Sequence, residues 1–306
     1  MLLRMRPSGR LAEPKVEGTI LGPIIGVLFD GFAYGMLLFL LSVGLSVTLG
    51  MMNFVNLAHC AFAMLGGYVT VTLVNRFGWP FLATLPMAFI AAAFVSVILE
   101  RTLYRRLYRA SDLDQVLLTI GLAFMAIATA AYVFGTVLQP APTPSFLRGS
   151  VTYFGITFGI YRLFLVAVGL AVTLILVLTL EYTRFGQQVR AAVDNQRMAR
   201  GLGINVDATF AATFALGSGL AGLGGALAIE IVGLDPSFAL HYLVYVLIVV
   251  SVGGLGSISG SFIAAVLIGI SDIAGKYYVP QIGAFLIYFV MIVLLMWRPA
   301  GLFGKR

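Results

Sequence analysis

Apolar blocks of helix length follow one another along the chain, separated by short polar joints. They run from about Ile20 to Gly50, Met51 to Val74, Trp79 to Leu99, Leu117 to Leu138, Leu163 to Leu180, Ala208 to Ile229, Leu240 to Val252, Ile258 to Ile273 and Ile282 to Trp297. A run of ~18 or more apolar residues crosses the hydrocarbon core of a bilayer as a helix. These blocks are continuously apolar rather than alternating, which argues against a β-barrel. The pattern predicts an all-α polytopic membrane protein with about eight transmembrane spans plus broken or re-entrant segments.

One joint is unlike the others. From Glu181 to Gly203 the chain reads EYTRFGQQVRAAVDNQRMARGLG, with Arg184, Arg190, Asp194, Arg197 and Arg200 inside it. A charge at the bilayer centre costs ~2.5–3.5 kcal/mol even on the lenient insertion scale, so these five would cost on the order of 15 kcal/mol. The joint must sit in water. Read as one helix over Gln187–Leu202, it places Arg190, Asp194 and Arg197 on one side and Ala191, Met198 and Leu202 on the other. Asp194 is spaced to pair with either arginine, and Gly201 and Gly203 would end the helix. The result is an amphipathic element at a membrane face. It either turns the chain or docks a partner.

Composition fits this frame. Of 306 residues 60% are hydrophobic, too many for a soluble domain of this length to hide, and mean hydropathy is +1.03. The 35 glycines suit close helix packing in lipid. The net charge of +7 is not a nucleic-acid signature, because the basic residues gather in short loops. Arg101, Arg105, Arg106 and Arg109 form one cluster, Arg184–Arg200 a second, and Arg298, Lys305 and Arg306 a third. The positive-inside rule makes all three cytoplasmic and the acidic Glu230–Asp235 turn external. Residues 1–19 read as a basic arm without the apolar stretch of a signal peptide. Residues 20–306 read as the transmembrane domain, with a cytoplasmic loop at 182–203 and an extended, hairpin-like external loop at 139–161. The lone Cys60 cannot form an internal disulfide.

The Met51–Val74 block opens with MMNFVNLAHCAF, and Asn53, Asn56 and His59 favour a broken helix there. Parity adds a question. Three blocks precede Arg101, so either the basic arm is exported or the Met51–Val74 block is broken and part of it fails to cross. A second glycine-broken stretch, Ser251–Gly269, holds Gly254 and Ser257 and suggests two related repeats around a midplane pathway. Polar groups at membrane depth either line a pathway or satisfy freed backbone groups at a break. Asn53, Asn56, His59, Thr119, Gly254 and Ser257 are the candidates for the pathway. The acids near spans, Asp30, Asp207, Glu230 and Asp272, all read as span ends.

Several chemistries are missing. The nearest approach to a phosphate-binding loop, GISDIAGKYY, has the wrong spacing and Tyr277 after the lysine. Two separated histidines and one cysteine make no metal cluster, and no nucleophile constellation is visible. Neither an enzyme nor a metal or cofactor site is expected.

Motifs in order along the chain then add a family. FGQQVRAAVDNQRMARGLGINV resembles the coupling loop of ABC importer permeases of the branched-chain amino acid family, the LivH/LivM type, with Gly186, Arg190, Ala191, Ala199, Gly203, Ile204 and Asn205 in matching places. NFVNLAHCAFAMLGGY, LERTLYRRLYRASDLDQVLLTIGL, GGLGSISGSFIAAVLIG and RPAGLFGKR are similar to four further stretches of the same family. Together they cover most of the chain from about Gly35 onward. Cys60 stands where the family usually has glycine, and Arg106 where proline is common.

The resemblance implies a permease subunit of an ATP-driven importer in a bacterial inner membrane. A second permease, like or unlike, two cytosolic ATPases that bind the ATP, and a periplasmic solute-binding protein would be its partners. Gly186, Arg190, Ala191, Asp194, Arg197, Met198 and Gly203 would carry the ATPase contact. The implied substrates are branched-chain or related small amino acids, with urea, short amides or aromatic acids as the alternative. A stand-alone secondary transporter or channel is the reading of another class.

Overall fold

The computed structural model describes residues 21–52, 54–108, 110–140, 144–153 and 156–304. The first apolar block forms α1 (Leu21–Met52), and the chain breaks before α2 (His59–Phe77). α3 (Phe81–Leu99) runs on through a π-helical turn (Glu100–Tyr104) into the short α4 (Arg105–Leu107). α5 (Asp112–Phe134) starts on a reciprocal cap, in which Ser111 and Asp114 each bond the other's backbone N–H. A two-stranded antiparallel hairpin follows, β1 (Ser150–Tyr153) against β2 (Ile156–Gly159), pairing Ser150 with Gly159. Then come α6 (Ile160–Tyr182), α7 (Arg184–Asp194), α8 (Gln196–Gly201), α9 (Val206–Val232), α10 (Phe238–Gly253), α11 (Ile258–Tyr278) and α12 (Gly283–Trp297).

Seven helices among the described residues are long and apolar enough to cross a membrane: α1, α2, α3 with its extension, α5, α6, α9 and α11. α10 and α12 are apolar but shorter, at 16 and 15 residues. The chain is a multi-pass, all-α membrane protein.

Two ends of the bundle are chemically distinct. At one, Asp30 of α1 pairs with Arg162 at the start of α6, and the Phe29 ring meets Phe158 of the hairpin, centroids 4.8 Å apart. At the other, Gly50 touches Gly256, Arg105 meets Asp207, and the Leu302 N–H donates to the Val252 carbonyl at 2.7 Å. The basic loops therefore share one face, opposite the hairpin. α1 begins on the hairpin face, so the three blocks before Arg101 all reach membrane depth and parity is kept. The basic arm at 1–19 lies outside the described residues.

α1 runs through the middle, packed by α11, α9, α10 and α6. Small residues let backbones touch. Gly35 faces Ala265 and Val266 across the α1–α11 seam, Gly44 faces Gly217 of α9, and Gly66 of α2 faces Gly222 of α9. With no solvent hydrophobic effect between helices in lipid, such close van der Waals packing is what holds them together. One buried hydrogen bond, Ser261 Oγ to Ser46 Oγ at 2.9 Å, ties α11 to α1.

The two breaks differ in depth. His59, at the start of α2, donates from Nε2 to the Leu41 carbonyl at 2.9 Å, while the α10–α11 turn sits against Gly50. Nine residues of α1 separate those levels, about 14 Å. The first break reaches into the bilayer and the second is a turn at the basic face.

Candidate functional site

The polar interruption forms two helices rather than the single one expected. Asn195 takes an extended backbone (φ −151°, ψ 96°), and its side chain caps α8 by accepting from the Met198 N–H at 3.0 Å. An asparagine favours capping over helix interior because its side chain competes for backbone donors. The break resets the helical phase. The inward face is Gly186, Val189, Ala192 and, on α8, Ala199. Ala192 and Ala199 pack on Val206 and Phe210 of α9, with Met52, Ile204 and Tyr108 around them. Gly186 is held so close to the end of α6 that an added Cβ would lie 2.0 Å from the Leu180 carbonyl oxygen.

The nominated residues thus divide. Gly186 is buried, Ala191 is half-buried, and Gly203 makes the left-handed turn (φ +83°) that leaves α8. Arg190 donates to the Leu180 carbonyl instead of pairing with Asp194. Asp194 and Arg197 are exposed and make no ion pair with each other. Met198 and Leu202 stand out into solvent, 67% and 80% exposed.

An ion pair the sequence did not suggest holds the element in place. Asp207, in the first turn of α9, accepts from Arg200 of α8 at 3.0 Å and from Arg105 of the first basic loop. Beside it Tyr108 donates to buried Glu100 at 2.9 Å. Burial, and then the Glu100 carboxylate, push the Tyr108 phenol well above its ordinary range, so it remains a donor at physiological pH.

The broken segment before α2 has no helix to satisfy its backbone, and α5 supplies the partners. Gln115 Oε1 accepts from the Val55 N–H at 3.0 Å, and its Nε2 donates to the Leu107 carbonyl at 3.2 Å. Thr119 Oγ1 accepts from the Leu57 N–H at 3.1 Å and donates to the Gln115 carbonyl at 2.8 Å. Asn56 caps locally, its Oδ1 taking the Ala58 N–H at 3.1 Å. Asn56, His59 and Thr119 are brought to one buried place; Asn53 lies outside the described residues. Gly254 and Ser257 are elsewhere, at the basic face, where Gly254 (φ +95°) abuts Gly304 of the C-terminal segment and Ser257 caps α11 through the Gly260 N–H. Gln115 was missed because nothing local marks it: the N–H it serves is 60 residues away in sequence.

Gln115→Leu should therefore cost about 1–3 kcal/mol, since it strands a buried N–H rather than merely deleting a bond. The thermal unfolding midpoint in detergent reads this, and Gln115→Glu, which keeps the acceptor but turns an oxygen toward the Leu107 carbonyl, should not recover it.

Among the described residues no group of three or more His, Cys, Asp or Glu could hold a metal ion. A family model described as branched-chain amino acid transport system, permease component, matches residues 27–295. The chain is 28% identical over 292 residues to a probable branched-chain amino acid transport permease protein LivH of Methanocaldococcus jannaschii, covering 91% of this chain and 92% of that one. It is 23% identical to the high-affinity permease protein BraD of Pseudomonas aeruginosa, over 91% and 95% of the two chains. The match to LivM of Escherichia coli K12 is 24% identical, over 87% and 68%. No solved structure matches. The family model runs from α1 into α12, and the chain belongs to the permease-component family of branched-chain amino acid transport systems.

Proposed function

We propose that this chain is the membrane-spanning permease subunit of an ATP-driven ABC importer of the bacterial inner membrane. It carries branched-chain or related small amino acids handed over by a periplasmic binding protein. The observation that carries the reading is the α7–α8 element. Its inner face is locked on α9, while Met198 and Leu202 are presented to water beside Arg197. Exposed apolar side chains on a rim of charge fit a protein partner. The chain has no phosphate-binding loop of its own, so the energy source is two ATPase subunits docked there. The substrate class rests on the names of the relatives. Relatives named as distinct permeases, LivH and LivM, support a second permease beside this one.

A secondary transporter would need an intramembrane acid free to bind a coupling ion. Asp272 is wholly buried within α11, not at a span end, but Lys276 already lies 2.6 Å from its Oδ2. That internal neutralisation favours the importer. The test is purification of the tagged chain from its native membrane. Recovery of an ATPase subunit, with uptake strictly dependent on ATP, is the expected result. Gradient-driven transport by the lone chain in vesicles would overturn the reading.

A further inference from the structure

Between the α7–α8 element and the mid-bilayer break lies a continuous aromatic cluster. Phe210 of α9, which Ala192 and Ala199 pack against, meets Tyr108 edge-on with centroids 5.7 Å apart. Tyr108 meets Phe54 edge-on at 5.6 Å. Phe54 also contacts Tyr104 of the π-helical turn at 5.2 Å and Phe214 of α9 at 5.9 Å, and those two rings meet at 5.0 Å. Phe54 is wholly buried and is a residue of the broken segment itself. The next N–H, on Val55, is the one Gln115 holds, and the N–H of Leu57 is held by Thr119.

Three features make this more than a core. Close-packed interiors transmit displacement, because no void absorbs it. The segment at 54–58 has no regular backbone ladder, and the N–H groups of Val55 and Leu57 are held by two side chains of a single helix. That helix, α5, leaves Leu117, Phe124, Met125 and Tyr132 exposed and touches the bundle mainly through α2 and α10. The same region also holds buried polar atoms with no partner among the described residues: Asn56 Nδ2, His59 Nδ1 and Tyr104 Oη. A π-helical turn, such as the one carrying Tyr104, is frequent at functional sites.

We propose that Phe54 is the positioning residue through which movement of the α7–α8 element reaches the membrane interior, and that Gln115 and Thr119 of α5 form the grip this movement releases. The proposal rests on the ABC importer reading. When the basic-face element shifts, Phe210 and Tyr108 carry Phe54 with them. The 54–58 segment then leaves α5, freeing the α2–α5 side of the bundle.

The test uses the assembled complex, permease with its ATPases, in proteoliposomes, reading ATP turnover and amino acid uptake in the same sample. Phe54→Ala is expected to lower uptake per ATP about tenfold or more, within the range of ordinary coupling between sites. Phe54→Leu, which keeps most of the volume, should recover most of the ratio. Thr119→Val, nearly isosteric, should shift the ratio in the same sense, and Thr119→Ser should restore it. If Phe54→Ala does not assemble, the Thr119 pair decides alone. Equal losses of ATP turnover and uptake, or an unchanged ratio in Thr119→Val, overturn the proposal. If instead no ATPase assembles with the unmodified chain, it is the importer reading that fails.

Discussion

A methyl group added at Gly225 is expected to keep the bundle from assembling. The Cβ of an alanine there would lie 1.8 Å from the Ala63 carbonyl oxygen, a backbone atom of α2 that no rotamer change can move. Inserting a methylene into a packed core costs ~1–3 kcal/mol when side chains can give way. Here two helix backbones must separate, and the neighbouring contact of Gly66 with Gly222 opens with them. The loss should exceed about 3 kcal/mol, because helix association in lipid rests on this close approach. Gly225→Ala should therefore fail to give a monodisperse protein in mild detergent. Gly121→Ala, where nothing lies within 4 Å, should behave as the parent or gain up to ~1 kcal/mol from reduced backbone entropy. A parent-like unfolding midpoint for Gly225→Ala would refute the α2–α9 seam.

The contrast between those two glycines shows what a sequence can carry. All 35 look alike in one dimension, and only the pairing of helices in space, here α2 with α9, separates a structural glycine from a permissive one. The apolar blocks were legible because lipid imposes one rule on every residue of a span. The break before His59 was legible because asparagines and a histidine at membrane depth need a reason. Its holder, Gln115, was not: it follows a basic loop, where a polar residue needs none. The aromatic cluster around Phe54 was hidden similarly, since it joins three parts of the chain separated by dozens of residues. In the polar interruption, the charge pattern gave its place and the helical wheel misjudged its faces. The wheel assumed unbroken phase, and Asn195 breaks it. Asp194 lost its expected partners because Arg190 found a nearer acceptor, the unsatisfied carbonyl of Leu180 at the end of α6.

That broken phase leads to the largest functional effect. Met198→Asp combined with Leu202→Asp should abolish binding of the ATPase while leaving the permease folded. Exposed apolar residues are common on any protein and need no explanation singly. These two differ because the arginines around them keep α8 out of lipid, so the membrane cannot be what they face. Burying one such side chain contributes ~1.5–3 kcal/mol, and two contribute ~3–6, a factor on the order of 10²–10⁴ in affinity. Aspartate adds the cost of a desolvated charge without a partner. The fold should hold, because both side chains are exposed and the α8 cap bonds use only their backbone, and such positions usually change stability by ~0.5 kcal/mol or less. Titration of purified ATPase against the variant in nanodiscs measures the loss directly. Arg184→Ala, exposed at the far end of α7, is the control and should bind as the parent does. Parent-like ATPase affinity in the double variant would remove the apolar pair from the interface. Loss in both variants would point to charge rather than to the apolar pair. Asn195→Ala separates the last possibility. It removes the cap on which α8 depends, a loss of ~1 kcal/mol, and lets α7 run on through the break. Met198 would then turn away from its present direction, so affinity should fall although every contact residue is still present.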